Sequence, residues 1–158
     1  MSNRPDITKK LSLSLEKHLN PKNDTRIYMA KECTFDYATG VSKRVDYCQF
    51  KPVNTSVSGI EKGDFYCYEI KSSVEDFHSP NGHNFLGDYN YYVMPEDVYI
   101  PDGINKGGWY NLKAVKKARK INRTRPLTEI LFMMFRSSNR ELYKLKEGKV
   151  NKAWVTVK

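Results

Sequence analysis

The chain has 158 residues, a length that suits one domain, and 39% of them are hydrophobic, enough to build a folded core. Its 27 Lys and Arg against 18 Asp and Glu leave a net charge of +9, which points toward a polyanionic partner, nucleic acid before others. The longest apolar run, Ile130–Phe135, falls far short of the roughly 20 residues that span a bilayer, so no membrane partner is expected.

The first element is a helix over Pro5–Leu19, because Leu11, Leu15 and Leu19 recur every four residues with Ile7 one turn earlier. Asn20–Asp24 breaks it, and no signal-peptide core precedes it. Arg26–Phe35 reads as a strand, Asp36–Gly40 as a hairpin-like turn, and Arg44–Phe50 as a second strand. A loop over Lys51–Gly63 leads to Phe65–Lys71, the most apolar strand and the expected centre of the sheet. Ser73–Phe77 resembles the first turn of a short helix, with Ser73 as cap and Asp76 three residues on. Pro80–His83 is a turn or flexible loop, Tyr89–Met94 a fourth strand, and Tyr99–Gly108 a loop. Trp109–Leu112 and Ala114–Ala118 suggest a last strand or ribbon. Pro126–Leu145 is a helix with Leu127, Ile130, Leu131, Met134 and Phe135 on its apolar side, and Ala153–Val157 a short strand or a mobile end. Helices flanking strands on both sides of the order describe a single α/β layer structure.

Cys33, Cys48 and Cys67 form an odd set without CxxC spacing, all in expected strands. Buried free thiols in a reducing, cytoplasmic setting fit them better than a zinc site.

The chemistry concentrates in two strands. Asp46 lies within Val45–Phe50, and Glu69 and Lys71 lie two apart in the third strand, so both of the latter face one side. Charges are excluded from strand centres unless paired or holding a metal. Two carboxylates, Asp46 and Glu69, with the Ile70 carbonyl between Glu69 and Lys71, make a hard oxygen donor set suited to Mg²⁺ or Mn²⁺. Lys71 on the same face would orient an attacking water or stabilise a crowded phosphate. The competing reading is an exposed edge strand on which Lys71 forms a surface salt bridge with Glu69 or Asp46, contributing little.

An Asp on one strand followed by Glu-x-Lys on the next, after an N-terminal helix, resembles the PD-(D/E)xK nuclease superfamily. The block Glu69–Phe77 followed by Gly87–Pro95 is similar to the DNA-repair nucleases of the MmcB type, and the likeness covers about two-thirds of the chain. It departs at His78–Phe85, where such nucleases carry a basic, Trp-containing segment, and in the longer loop Lys51–Gly63. The resemblance implies a restriction-endonuclease-like core of helix, three strands, helix and strand in a mixed sheet, closed by a C-terminal helix. It further implies a metal-dependent deoxyribonuclease for repair, recombination or phage-type DNA processing. Asp46, Glu69 and Ile70 would hold the metal, Lys71 would serve catalysis, and Glu16 in the first helix would approach the metal. DNA is the implied partner, in a form the sequence does not specify, and pairing of two copies is compatible with the family. The alternative is a non-catalytic nucleic-acid-binding accessory or inhibitor protein on the same fold.

Lys113, Lys116, Lys117, Arg119, Lys120, Arg123 and Arg125 form the densest positive run, readable as a phosphate-tracking strip or as a solvated face. Tyr89, Tyr91, Tyr92, Trp109 and Tyr110 are candidates for base stacking, although alternating aromatics in a strand ordinarily pack a core. His78 and His83 flank the loop after the site strand, where a histidine can act as general acid or simply support the loop.

Overall fold

A computed structural model describes residues 4–95, 98 and 117–156, with side chains up to residue 148. In order the elements are α1 (Arg4–Leu19), β1 (Tyr28–Phe35), β2 (Lys43–Lys51), α2 (Val57–Glu61), β3 (Asp64–Ile70), α3 (Val74–His78), β4 (Tyr89–Val93) and α4 (Leu127–Thr156). The strands form one mixed sheet in the order β1-β2-β3-β4, antiparallel across the first three and parallel between β3 and β4. The third strand is thus internal, as its apolar composition requires.

Each face of the sheet carries one helix. Leu11 and Leu15 of α1 bury against Tyr47, Tyr68, Ile70 and Val93. On the other face Ile130 and Met134 of α4 bury against Cys33, Phe35, Val45, Cys48, Phe50, Phe65 and Cys67, with Leu86 from the following loop. Each such large apolar side chain contributes about 1.5–3 kcal/mol on burial. The three cysteines are free and buried, and Cys48 Sγ lies 3.7 Å from Cys67 Sγ.

Several expectations shift. The loop over Lys51–Gly63 contains α2, capped by Ser56, whose Oγ accepts the Gly59 N–H at 3.0 Å. Phe135, placed on the apolar side from sequence, is 66% exposed: it follows Met134 by one residue, about 100° around the helix, and leaves the buried line. The C-terminal stretch expected as strand or mobile end continues α4 through Thr156 instead. Trp109–Leu112 and most of Ala114–Ala118 lie outside the described residues, as do Lys113, Lys116 and Tyr110. Among the described residues no helix is long and apolar enough to cross a membrane.

The sheet has one irregular step. Ala30 and Cys33 on β1 both reach the α4 side, and so do Val45 and Cys48 on β2, although each pair lies three positions apart and strict alternation would oppose them. Between them Glu32 and Asp46 face one another without a backbone pair, since the register runs from Lys31↔Tyr47 directly to Cys33↔Val45. Glu32 has φ +49°, a left-handed conformation that costs a non-glycine residue roughly 1 kcal/mol or more. Strain of this kind persists where the surroundings fix it, and here it adjoins Asp46.

Candidate metal and phosphate site

The irregular step brings Asp46 to the end of the β2–β3 ladder. Backbone pairing stops at Tyr47↔Tyr68; one step further would set Asp46 opposite Glu69. Instead Asp46 Oδ2 accepts the Ile70 N–H at 2.8 Å, so a side chain takes the place of the strand. The two strands part here, and Asp46 and Glu69 are left on either side of the opening.

Glu69 shares the α4 side of β3 with Phe65 and Cys67, whereas Tyr68 and Ile70 point into the α1 side. It is 8% exposed. Burial and the neighbouring Asp46 carboxylate push its pKa up to about 7, against smaller downward pulls from the Asn84 hydrogen bond, Lys71 and Arg44. Burial likewise raises Asp46, opposed first by the Ile70 N–H and then by the Arg44 charge. Both carboxylates therefore hold protons more firmly than ordinary acids do, the condition a nearby cation would relieve.

Lys71 follows β3 and extends its ladder, donating its backbone N–H to Val93 O at 2.9 Å. The residue is 3% exposed, and its ammonium donates to the backbone carbonyls of Asp76 at 3.2 Å and Asn81 at 2.5 Å. Among the described residues it makes no ion pair with Glu69 or Asp46, so the exposed salt-bridged edge does not describe this strand. Gly82, at φ +72°, lies directly over the pair: a Cβ there would stand 2.8 Å from Lys71 Nζ and 3.3 Å from Glu69 Oε2.

The structure ties Glu16 to Tyr47 and Lys31, rather than to Glu69 or Lys71. Its Oε1 accepts the Tyr47 hydroxyl at 2.7 Å and pairs with the Lys31 ammonium. The first helix covers the opposite face of the sheet from Glu69, which explains the separation. Among the described residues no three His, Cys, Asp or Glu side chains converge to hold an ion. A cleft of about 340 Å³ lined by Thr8, Ser12, Arg44, Asp46 and Ile70 among others opens beside Asp46.

Sequence reasoning missed the loop that closes the site. Asn84 Nδ2 donates to Arg44 O at 2.8 Å and to Glu69 Oε1 at 3.3 Å. His83 anchors the loop through Tyr92 Oη at 2.6 Å and Ser79 O at 2.9 Å, which gives that histidine a structural task. Asp76 Oδ2 accepts the Ser72 N–H and hydroxyl, while Ser73 Oγ caps α3 by accepting the Asp76 N–H, as the Ser-x-x-Asp spacing predicts. The Gly-Pro-Asn composition marked a turn but carried no sign that the turn folds back over the strand before it.

The basic run divides. Lys120 pairs with Asp64 at 2.6 Å, Arg123 with Asp88 at 3.4 Å, and Arg125 with Asp36 at 2.5 Å and Glu129 at 2.9 Å. These three line a cleft of about 580 Å³ and stitch the chain before α4 to the sheet. Lys117 and Arg119 are exposed. The tyrosines pack, Tyr66 on Tyr89 and Tyr68 on Tyr91, with ring centroids 4.6 and 5.3 Å apart.

Comparison with protein-family models, curated proteins and solved structures returned no match to this chain.

Proposed function

We propose that this protein is a metal-dependent deoxyribonuclease built on a restriction-endonuclease-like core, hydrolysing phosphodiester bonds. The observation that carries the reading is the opening at the end of the β2–β3 ladder. There Asp46 and Glu69, both with raised pKa, flank a strand end whose next residue is the buried cation Lys71. Carboxylates are hard donors, which fits Mg²⁺ or Mn²⁺ better than zinc. Asp46, Glu69 and the Ile70 carbonyl would hold the ion, which when bound supplies Lewis-acid polarisation of phosphate. Two carboxylates leave coordination positions for water and phosphate oxygens. Lys71 contributes a fixed positive charge: two of its three donors are held by loop carbonyls, which limits where the remaining one can act. The net charge of +9 favours a polyanionic substrate, and the exposed Lys117 and Arg119 are available to phosphates. A homodimer is compatible with this reading.

A second reading, a nucleic-acid-binding module without catalysis, draws on one observation: the ammonium of Lys71 is already engaged by the loop that covers it. The test is cleavage of supercoiled, linear and single-stranded DNA with Mg²⁺ or Mn²⁺, beside an EDTA control and Lys71→Ala. Metal-dependent cutting that disappears in a folded Lys71→Ala supports the nuclease. Salt-sensitive DNA binding in both proteins with no cutting favours the binding module.

A further inference from the structure

We propose that Asn84 is a positioning residue for Glu69, holding one carboxylate oxygen so that the other is presented to a bound divalent cation. The inference rests on the nuclease reading for its purpose and on the geometry of the loop for its substance.

Where β2 and β3 part, Glu69 has lost the neighbouring strand that would otherwise fix it. Asn84 spans that gap. Its amide nitrogen has two hydrogens, and its two acceptors lie on the two separated strands: Arg44 O on β2 and Glu69 Oε1 on β3. A loop residue serving only to fasten the loop would need just the first of these. The second fixes the rotation of the Glu69 carboxylate, and among the described residues Oε2, the oxygen on the Gly82 side, has no hydrogen-bond partner.

Asn84 is itself held from both directions. His83 is fastened to Tyr92 and Ser79, and Leu86 is buried in the core beneath α4. Asn81, three residues earlier, gives its carbonyl to Lys71. One short loop therefore orients both the carboxylate and the ammonium, through a side chain in one case and a backbone oxygen in the other. Groups that hydrogen-bond a metal-binding carboxylate set its orientation, and removing them typically weakens metal affinity by about 10–100-fold.

The experiment measures Mn²⁺ binding by titration calorimetry, with thermal melting, for the full chain and for Asn84→Ala. Weakening of about tenfold or more at unchanged melting temperature, with cleavage losing kcat rather than DNA KM, is the expected result. Wild-type affinity in Asn84→Ala overturns the assignment, and so does a loss of affinity that only follows loss of fold. If the wild-type chain binds no Mn²⁺, the nuclease reading fails by itself. The contact is then read from the Asn84 side-chain amide resonances: a shift in Glu69→Gln upholds the hold on Glu69, and unmoved resonances overturn it.

Discussion

The carboxylate of Asp46 accepts the backbone N–H of Ile70 at 2.8 Å, one step beyond the last backbone pair joining their strands. A strand end that would otherwise leave a half-buried donor is closed by a side chain, and the same side chain is the first member of the candidate site. Fold and chemistry therefore make different demands on one group: the strand needs an acceptor, a cation needs a charge.

Substitution separates the two. In Asp46→Asn the amide oxygen still accepts the Ile70 N–H, so stability in urea stays close to wild type while Mn²⁺ affinity collapses. Asp46→Ala loses both, and the orphaned N–H costs about 1–3 kcal/mol. Wild-type Mn²⁺ binding by Asp46→Asn in calorimetry would reduce Asp46 to a strand cap.

Glu69 sets a pH dependence of stability. Its carboxyl titrates near 7 when folded and near the ordinary 4.5 when unfolded, so between those values the folded chain binds the extra proton. Stability is then highest below pH 4.5 as far as this group decides, and falls as pH rises toward 7, by about 3 kcal/mol at most. Asp46, also raised, adds a change of the same sign. Urea unfolding at pH 5 and pH 8 should show the decline, and Glu69→Gln should flatten it. Millimolar Mg²⁺ at pH 8 should restore part of the loss in the wild type only. A decline of equal size in Glu69→Gln would place its origin elsewhere.

Gly82 has no side chain where one would collide with the site. Gly82→Ala carries two burdens: a positive φ that costs an L-residue roughly 1–2 kcal/mol, and a methyl 2.8 Å from Lys71 Nζ. The second falls on the far end of the Lys71 side chain, so the ammonium is displaced against the Asp76 and Asn81 carbonyls that hold it while the loop stays. Gly40→Ala supplies the control, with φ +74° and nothing within 4 Å. The two variants should melt at similar temperatures, and only Gly82→Ala should lose cutting. Equal activity would mean that the placement of Lys71 is not sensitive at this scale.

Much of the scaffold was legible because it rests on local pattern. The leucines at four-residue spacing placed α1, the β-branched and aromatic runs placed four strands, and Ser73 with Asp76 announced the cap of α3. The pairing of Glu69 with Lys71 on one face followed from strand alternation alone. What escaped depends on relations between distant segments. The step at Glu32 and Asp46 breaks alternation on two strands at once, and neither residue type signals it. Glu16 was drawn toward the site because it lies in the first helix, yet that helix packs on the other face and Tyr47 takes its carboxylate. The return of Asn81–Asn84 over Lys71 is set by the anchoring of His83 and Leu86, contacts that no periodicity encodes. Charge density misled in the basic run, since Asp36, Asp64 and Asp88, far away in sequence, pair with three of its five described residues.

That division of the basic run gives the last prediction. Lys117 and Arg119 are exposed, whereas Arg123 pairs with the buried Asp88, donates to Gly63 O at 3.3 Å and lies over the Phe65 ring. Asp88 in turn accepts the Phe65 N–H at 2.7 Å, so Arg123 supports the start of the site strand from below. Replacing Lys117 and Arg119 together by Ala should weaken duplex DNA binding and lower the slope of log affinity against log salt by up to about 1.8, near 0.9 for each lost phosphate contact. Arg123→Ala should leave that slope unchanged and lower the melting temperature instead, because it exposes an unpaired buried carboxylate. Fluorescence anisotropy across a salt series, read beside thermal melts, distinguishes them. Equal slope losses in the two variants would restore the continuous strip and make the ion pair with Asp88 incidental.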